Sequence, residues 1–321
     1  MTTIRRLKTI LCTVAIGMGA CALSSTLDAA PPEFLQSAER IVFLGDSITH
    51  AGHYIGQLEA QWRLQHAGLA PEMINLGLPS ETCSGLSEPD HPFPRPDVHE
   101  RLRRALDATE PDVVVACYGM NDGIYYPFDE QRFKAYREGI MRLIVMVKST
   151  GAKLILMSPP AFDPLPLRKQ NQLRPLGAEK YAWFAIYEGY DDVMSRYTDW
   201  IMDQRDRLDM VIDLHKPMND FLAEKRSSEA DFTLSTDGVH VNTEGHKILS
   251  NAILNAWEWG PPLPVPPDMT ESIAQRQTLL RDAWLSHVGH KRPDVKAGLP
   301  LEQAQRQAAQ IEAAMISAFG S

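Results

Sequence analysis

The sequence predicts an α/β protein in which a parallel sheet is covered by helices on both faces. Three observations lead there. Strand-like and helix-like segments alternate between Arg40 and Trp257, the order that crossover helices impose on a parallel sheet. Several of the strand segments are apolar throughout, as strands buried on both faces are. The unusual residues, "GDSITHAG", "GLPSETCSG", "YGMNDGIYYP" and "SPPAFDPLP", follow strands, and in a doubly wound sheet such loops converge on one rim at the carboxyl ends of the strands.

In chain order the expected strands are Arg40–Leu44, Glu72–Leu76, Val113–Cys117, Lys153–Met157 and Met210–Asp213. Between them the patterning suggests helices near Tyr54–His66, Val98–Ala108, Phe133–Ser149, Tyr181–Arg207 and Glu244–Trp257. From Gly260 the chain reads "GPPLPVPPD", with five prolines in the eight residues from Pro261 to Asp268, which makes a stiff linker. A helical tail follows. Its Leu301, Ala304, Ala308, Ile311 and Met315 recur at three- and four-residue steps and form an apolar stripe for packing on the domain, with dimerisation as the alternative. The division expected is an export signal at 1–24, a linker at 25–39, one α/β domain at 40–259, a Pro-rich linker at 260–269 and a helical C-terminal extension at 270–321.

Composition narrows the class. With 321 residues, 44% hydrophobic and 23% charged, the chain is globular and large enough for one α/β core plus an appendage. Its net charge is −9. Arg5, Arg6 and Lys8 precede an apolar run from Ile10 to Leu23, too short to span a bilayer comfortably, so the N-terminus reads as an export signal. Removal of those three cations leaves the mature chain near −12, which argues against nucleic acid or an anionic membrane as partner. No transmembrane span is expected in the mature protein, and oligomeric state stays open. "MGAC" before Cys21 loosely resembles a lipoprotein box, leaving a lipid tether as a variant of export. Cys83 and Cys117 are expected to be buried thiols, with a disulfide as the alternative. No cysteine pair has metal-ligand spacing, and no cofactor is called for.

Three rim segments carry chemistry. Ser47 follows the first strand by three residues and opens a helical pattern, which presents its hydroxyl and its N–H at a strand-to-helix turn. An N-cap is the bland reading of the same serine. In "TDGVHVNTEGH", Asp237 and His240 stand three apart, close enough for the carboxylate to hold the imidazole in the tautomer whose Nε2 acts as base. In "YGMND", Asn121 lies just past a strand, where its amide can donate to an oxygen becoming negative.

With those residues in view, "GDSIT" (Gly45–Thr49), "NLGLPSET" (Asn75–Thr82), "GMND" (Gly119–Asp122) and "DGVH" (Asp237–His240) resemble the four blocks of the SGNH, or GDSL-type, hydrolases. The resemblance spans Arg40 to Trp257. It implies a flavodoxin-like three-layer α/β/α sandwich with five parallel strands. It also implies a Ser47 nucleophile, a His240 base, Asp237 as its orienter and an oxyanion hole of Ser47 N–H, a backbone N–H in the second block and the Asn121 side chain. One block departs from the pattern: Ser80 stands where the family's oxyanion glycine is expected, with Gly77 three residues earlier as the alternative donor. Asp46 is expected to hold its turn through backbone hydrogen bonds.

The substrate is less legible. Tyr125 and Tyr126 follow Asn121 closely and suit a sugar face or simple packing. The loop Ala161–Gly177 is long enough for a lid, and its Arg168, Lys169 and Arg174 either meet an acidic glycan or are solvated. His50 and His53 lack the carboxylate or thiol that would complete a metal site. The expectation is an exported O-acetyl (carbohydrate) esterase acting on a small ester or acetylated glycan. A lipolytic acyl esterase is the alternative, and a non-catalytic glycan-binding module on the same fold is the reading from another class.

Overall fold

The computed structural model describes residues 31–66 and 70–319; the expected export signal, with Cys12 and Cys21, lies outside them. Five strands form one parallel sheet: β1 (Arg40–Gly45), β2 (Glu72–Asn75), β3 (Val113–Cys117), β4 (Lys153–Met157) and β5 (Met210–Ile212). Their spatial order is β2-β1-β3-β4-β5, the flavodoxin-like order. Register is set by pairs such as Phe43 with Val115 and Val115 with Ile155.

Alternate residues of each strand serve opposite faces. Val42, Leu44, Val114, Ala116, Leu154 and Leu156 face one helical layer, made of α2 (Leu102–Thr109), α3 (Glu130–Lys148) and α4 (Tyr190–Met202). Ile41, Phe43, Val113, Val115, Ile155 and Met157 face the other, made of α1 (His53–Gln65), α5 (His215–Arg226) and α6 (Thr243–Ala256). These strand residues are buried, and each Val, Leu, Ile, Phe or Met among them contributes about 1.5–3 kcal/mol relative to exposure. Cys83 and Cys117 are free thiols within this core.

Three differences from the sequence reading have local causes. The helix expected over Tyr181–Arg207 begins only at Tyr190. Before it, Ile186–Tyr187 pairs with Leu173–Arg174 as a two-stranded parallel ribbon and the Tyr187 N–H is committed to the Tyr125 carbonyl. The helix expected over Val98–Ala108 breaks at Arg101, which turns inward to a buried pair with Glu81 at 2.7 Å. Helix α5 lacked a clear pattern because Pro217 sits near its start, where proline is tolerated since the first-turn N–H groups need no intrahelical partner.

The proline segment is pinned along α1, where the Gln61 side chain makes two 2.7 Å hydrogen bonds to the Leu263 backbone. Beyond it α7 (Pro267–Val288) and α8 (Leu301–Phe319) pack on each other and on the domain. Ala304, Ala308 and Met315 of the apolar stripe are buried. Fully buried Glu59 on α1 receives Arg63 (2.7 Å), Arg276 (2.5 Å) and Gln277 (2.6 Å). Helix α7 also lies against β2, where Gln277 donates to the Met73 carbonyl, so the extension covers an edge strand that would otherwise offer unpaired backbone groups.

Candidate active site

The site forms at the carboxyl ends of β1, β2, β3 and β4. Strand β1 stops at Gly45, where a side chain would collide with the Thr49 hydroxyl and the Cys117 carbonyl. Asp46 caps the five-residue helix Ser47–Ala51 by accepting the Ile48 N–H at 2.9 Å, as its expected role in the turn requires. Burial pushes the Asp46 carboxyl up to about 6 against that hydrogen bond. Ser47 is the first helical residue, so its N–H has no intrahelical acceptor and its hydroxyl stands at the rim.

Opposite, the loop before α6 organises itself. One Asp237 oxygen accepts the Val239 and His240 amides, at 3.0 and 2.8 Å, and the Ser235 hydroxyl. The other meets His240 Nδ1 at 2.7 Å, and His240 Nε2 lies 2.8 Å from Ser47 Oγ, across 193 positions of sequence. The bond to Asp237 holds the His240 ring above its ordinary 6.5 against desolvation. Burial would raise the Asp237 carboxyl, but the His240 ring and the two amides hold it well below the usual carboxylate range. Since Nδ1–H faces a carboxylate, Nε2 is the basic nitrogen toward Ser47.

The second block forms a β-turn at Leu78–Glu81, closed by Glu81 N–H to the Leu78 carbonyl at 3.1 Å. Pro79 and Ser80 are its central residues, and Ser80 has φ +67, the type II geometry that favours glycine at that place. The Ser80 N–H has no hydrogen-bond partner among the described residues. Gly77, the alternative donor, has its N–H bound to the Asn75 side chain at 2.8 Å and is pressed against the backbone of Thr49 and His50.

Asn121 is fixed by two donors on its side-chain oxygen, Arg95 Nη1 at 3.0 Å and the Tyr125 hydroxyl at 2.9 Å, while its amide nitrogen donates to the Glu81 carbonyl at 3.2 Å. The second amide hydrogen remains available to the cleft. Arg95 is itself buried in a two-bond pair with Glu88 at 2.6 and 2.7 Å.

Ser47, Ser80, Asn121, Tyr125, Asp237 and His240 line one cleft of about 400 Å³. Tyr126 does not line it; its ring packs on Tyr181 and under Arg132. Arg168, Lys169 and Arg174 lie outside the lining, and Lys169 pairs with Asp231. The cations that do line it are Arg95 and Arg292, neither of which the motifs announce. Trp183 and Phe184, half-exposed on the loop before α4, complete an aromatic rim. Their signal in the sequence was an adjacent aromatic pair inside a segment read as helix.

A parallel sandwich in the order 2-1-3-4-5, with these four blocks gathered on its carboxyl rim, is the three-layer fold of the SGNH class. Residues 43–248 match the GDSL-like lipase/acylhydrolase family, and the chain belongs to that family, a class of carboxylic ester hydrolases. No curated protein matches it in sequence. Among solved structures it is similar to a gut microbial diltiazem-metabolizing enzyme, with 19% identity and a TM-score of 0.52 over 68% of this chain and 46% of that one. It is also similar to a mutant of Axe2, an acetyl-xylooligosaccharide esterase from Geobacillus stearothermophilus, with 21% identity and a TM-score of 0.50 over 70% of this chain and 94% of that one. The shared span is thus less than half of the first protein and nearly all of the second, and at these identities the likeness establishes the fold.

Proposed function

We propose that the protein is an exported O-acetyl carbohydrate esterase that works through Ser47, His240 and Asp237 and an acyl-enzyme. The observation that carries this reading is the 2.8 Å approach of Ser47 Oγ to His240 Nε2 with Asp237 on the far ring nitrogen. Ser47 Oγ attacks the ester carbonyl carbon as its proton passes to His240 Nε2. The oxyanion is received by the N–H groups of Ser47 and Ser80 and by the free amide hydrogen of Asn121. Collapse breaks the acyl C–O bond, and His240 returns the proton to the leaving alcohol. Water then attacks the acyl-enzyme, giving its proton to His240, and the acid departs as Ser47 recovers its hydrogen.

Three features support a small acyl group on a sugar. At about 400 Å³ the cleft has room for an acyl group together with a neighbouring sugar ring. Trp183 and Phe184 offer flat apolar faces at its rim, suited to sugar rings. Axe2, which shares the fold, is by name an acetyl-xylooligosaccharide esterase. Export rests on the N-terminal sequence, and the division into signal, linker, hydrolase domain and extension goes with it.

The test is turnover of p-nitrophenyl acetate, p-nitrophenyl octanoate and acetylated xylan by the wild type, Ser47→Ala and His240→Ala. Both variants should lose ester turnover on all three, and a serine-reactive phosphonate should label the wild type alone. Turnover that survives Ser47→Ala overturns the assignment. A strong preference for octanoate rejects the carbohydrate ester and retains the hydrolase.

A further inference from the structure

The Pro79–Ser80 turn poses a problem that the family's glycine does not have. Its type II form needs a positive φ at Ser80, where a side chain is disfavoured. Rotating the central peptide by half a turn gives the type I form, which proline and serine both accept without strain. That rotation also reverses the Ser80 N–H. An unrestrained Pro-Ser turn is therefore expected to drift away from the amide orientation that the oxyanion needs.

The C-terminal extension meets this peptide. Arg292, in the segment joining α7 to α8, donates from Nε to the Pro79 carbonyl at 2.9 Å, 213 positions away in sequence. The Pro79 carbonyl and the Ser80 N–H belong to one planar unit and point in opposite directions, so a grip on the oxygen aims the hydrogen. Arg292 is itself held by the Pro293 carbonyl at 2.6 Å and by the Phe93 ring, whose centroid lies 5.0 Å from the guanidinium. It makes no carboxylate ion pair among the described residues, although Asp294 acts on it from further off, and its Nε is left to the peptide oxygen. Arg95 Nη1 approaches the next carbonyl, that of Ser80, at 3.4 Å and binds Asn121 as well.

We propose that Arg292 is a positioning residue which holds the Pro79–Ser80 peptide in its type II orientation, so that an arginine of the extension does the work that glycine does at this place in the family. The inference rests on the reading of the Ser80 N–H as an oxyanion donor. It makes the extension, which lies outside the family match at 43–248, part of the catalytic apparatus.

The experiment uses p-nitrophenyl acetate, a small neutral ester, and compares wild type, Arg292→Gln, and Arg292→Gln combined with Ser80→Gly. Arg292→Gln should lower kcat about tenfold with KM and melting temperature little changed, as loss of an interaction made in the transition state does. Restoring glycine removes the bias toward the flipped peptide, so the double variant should recover kcat to within about threefold of wild type. Arg292→Met, alone and with Ser80→Gly, repeats the test without a donor should the glutamine variant fold poorly. An unchanged kcat, a rise in KM alone, or a loss that Ser80→Gly leaves in place overturns the proposal. Failure of the esterase reading has a different signature, since wild-type turnover would then be absent or would survive Ser47→Ala.

Discussion

Two turns end at the cleft, and they are built in opposite ways. The Gly45–Ser47 turn is assembled from its own neighbours: Asp46 caps the helix two residues on, and a close-packed glycine lets the strand stop there. The Pro79–Ser80 turn carries a residue at φ +67 and is gripped from a distance, by Arg95 fifteen positions away and Arg292 far down the chain. The His240 loop belongs with the first kind, because Asp237 collects two amides and one hydroxyl from within five residues. Local assembly leaves a motif in the sequence. Assembly at a distance leaves only a departure from one.

The largest effect should come from breaking the self-built loop. Asp237→Asn removes the charge that holds the His240 ring, and a loss on the order of 10⁴-fold in kcat/KM is expected at neutral pH. The sign of the pH shift follows from the same bond. Asp237 raises His240 above 6.5, so the wild-type enzyme should gain its active, unprotonated form only above that value. The residual activity of the variant should have its rising limb displaced to lower pH. A limb that stays in place would remove Asp237 from the site.

The distant assembly breaks differently, through stability. The Arg95 and Glu88 side chains are 2% and 0% exposed, and Glu88→Ala leaves a buried guanidinium without its carboxylate. Such losses cost about 3–5 kcal/mol, read as a lower urea midpoint. Asn121 loses its positioned donor at the same time, so the folded fraction should also show reduced kcat. A midpoint within about 1 kcal/mol of wild type would mean that the pair is not the keystone of this loop.

Asp46 offers a smaller, pH-resolved contrast. Its carboxyl stands near 6 in the fold because it is desolvated, against an ordinary 3.8. A carboxyl raised in this way supports folding fully below 3.8 and loses that support as pH climbs through about 6. Asp46→Asn keeps an oxygen for the Ile48 N–H and cannot ionise. Its stability relative to wild type should therefore improve from pH 4 to pH 7, by on the order of 2–3 kcal/mol. Parallel urea titrations with a constant difference across that range would show the carboxylate to be no burden on the turn.

The same division explains what could be read beforehand. All five strands fall within two residues of their expected bounds, because strands such as "VVVAC" are short apolar runs with punctuated ends. The Ser47, His240 and Asn121 segments were visible because each carries its polar residues in one stretch. Arg95, Trp183, Phe184 and Arg292 were not, since their places in the cleft depend on the buried pair with Glu88, on the ribbon of Leu173–Arg174 with Ile186–Tyr187 and on the packing of the extension. From sequence Tyr126 reads as a site residue through its neighbour's position, yet the chain turns at Ile124 and Tyr125, both with positive φ. That turn sends the next ring toward Tyr181.

The smallest effect sharpens the comparison most. In the wild-type background Ser80→Gly relieves a left-handed serine, worth roughly 1–2 kcal/mol, and adds unfolded-state freedom, which costs about 0.4–1 kcal/mol. The Ser80 hydroxyl has no bond to lose among the described residues. The net change should then be a gain of between about 0 and 1.6 kcal/mol, measured as a small rise in urea midpoint. The sign is the informative part. A clear loss would mean that the turn suits serine as it stands, and the arginine at the far end of the chain would have no strain to hold in check.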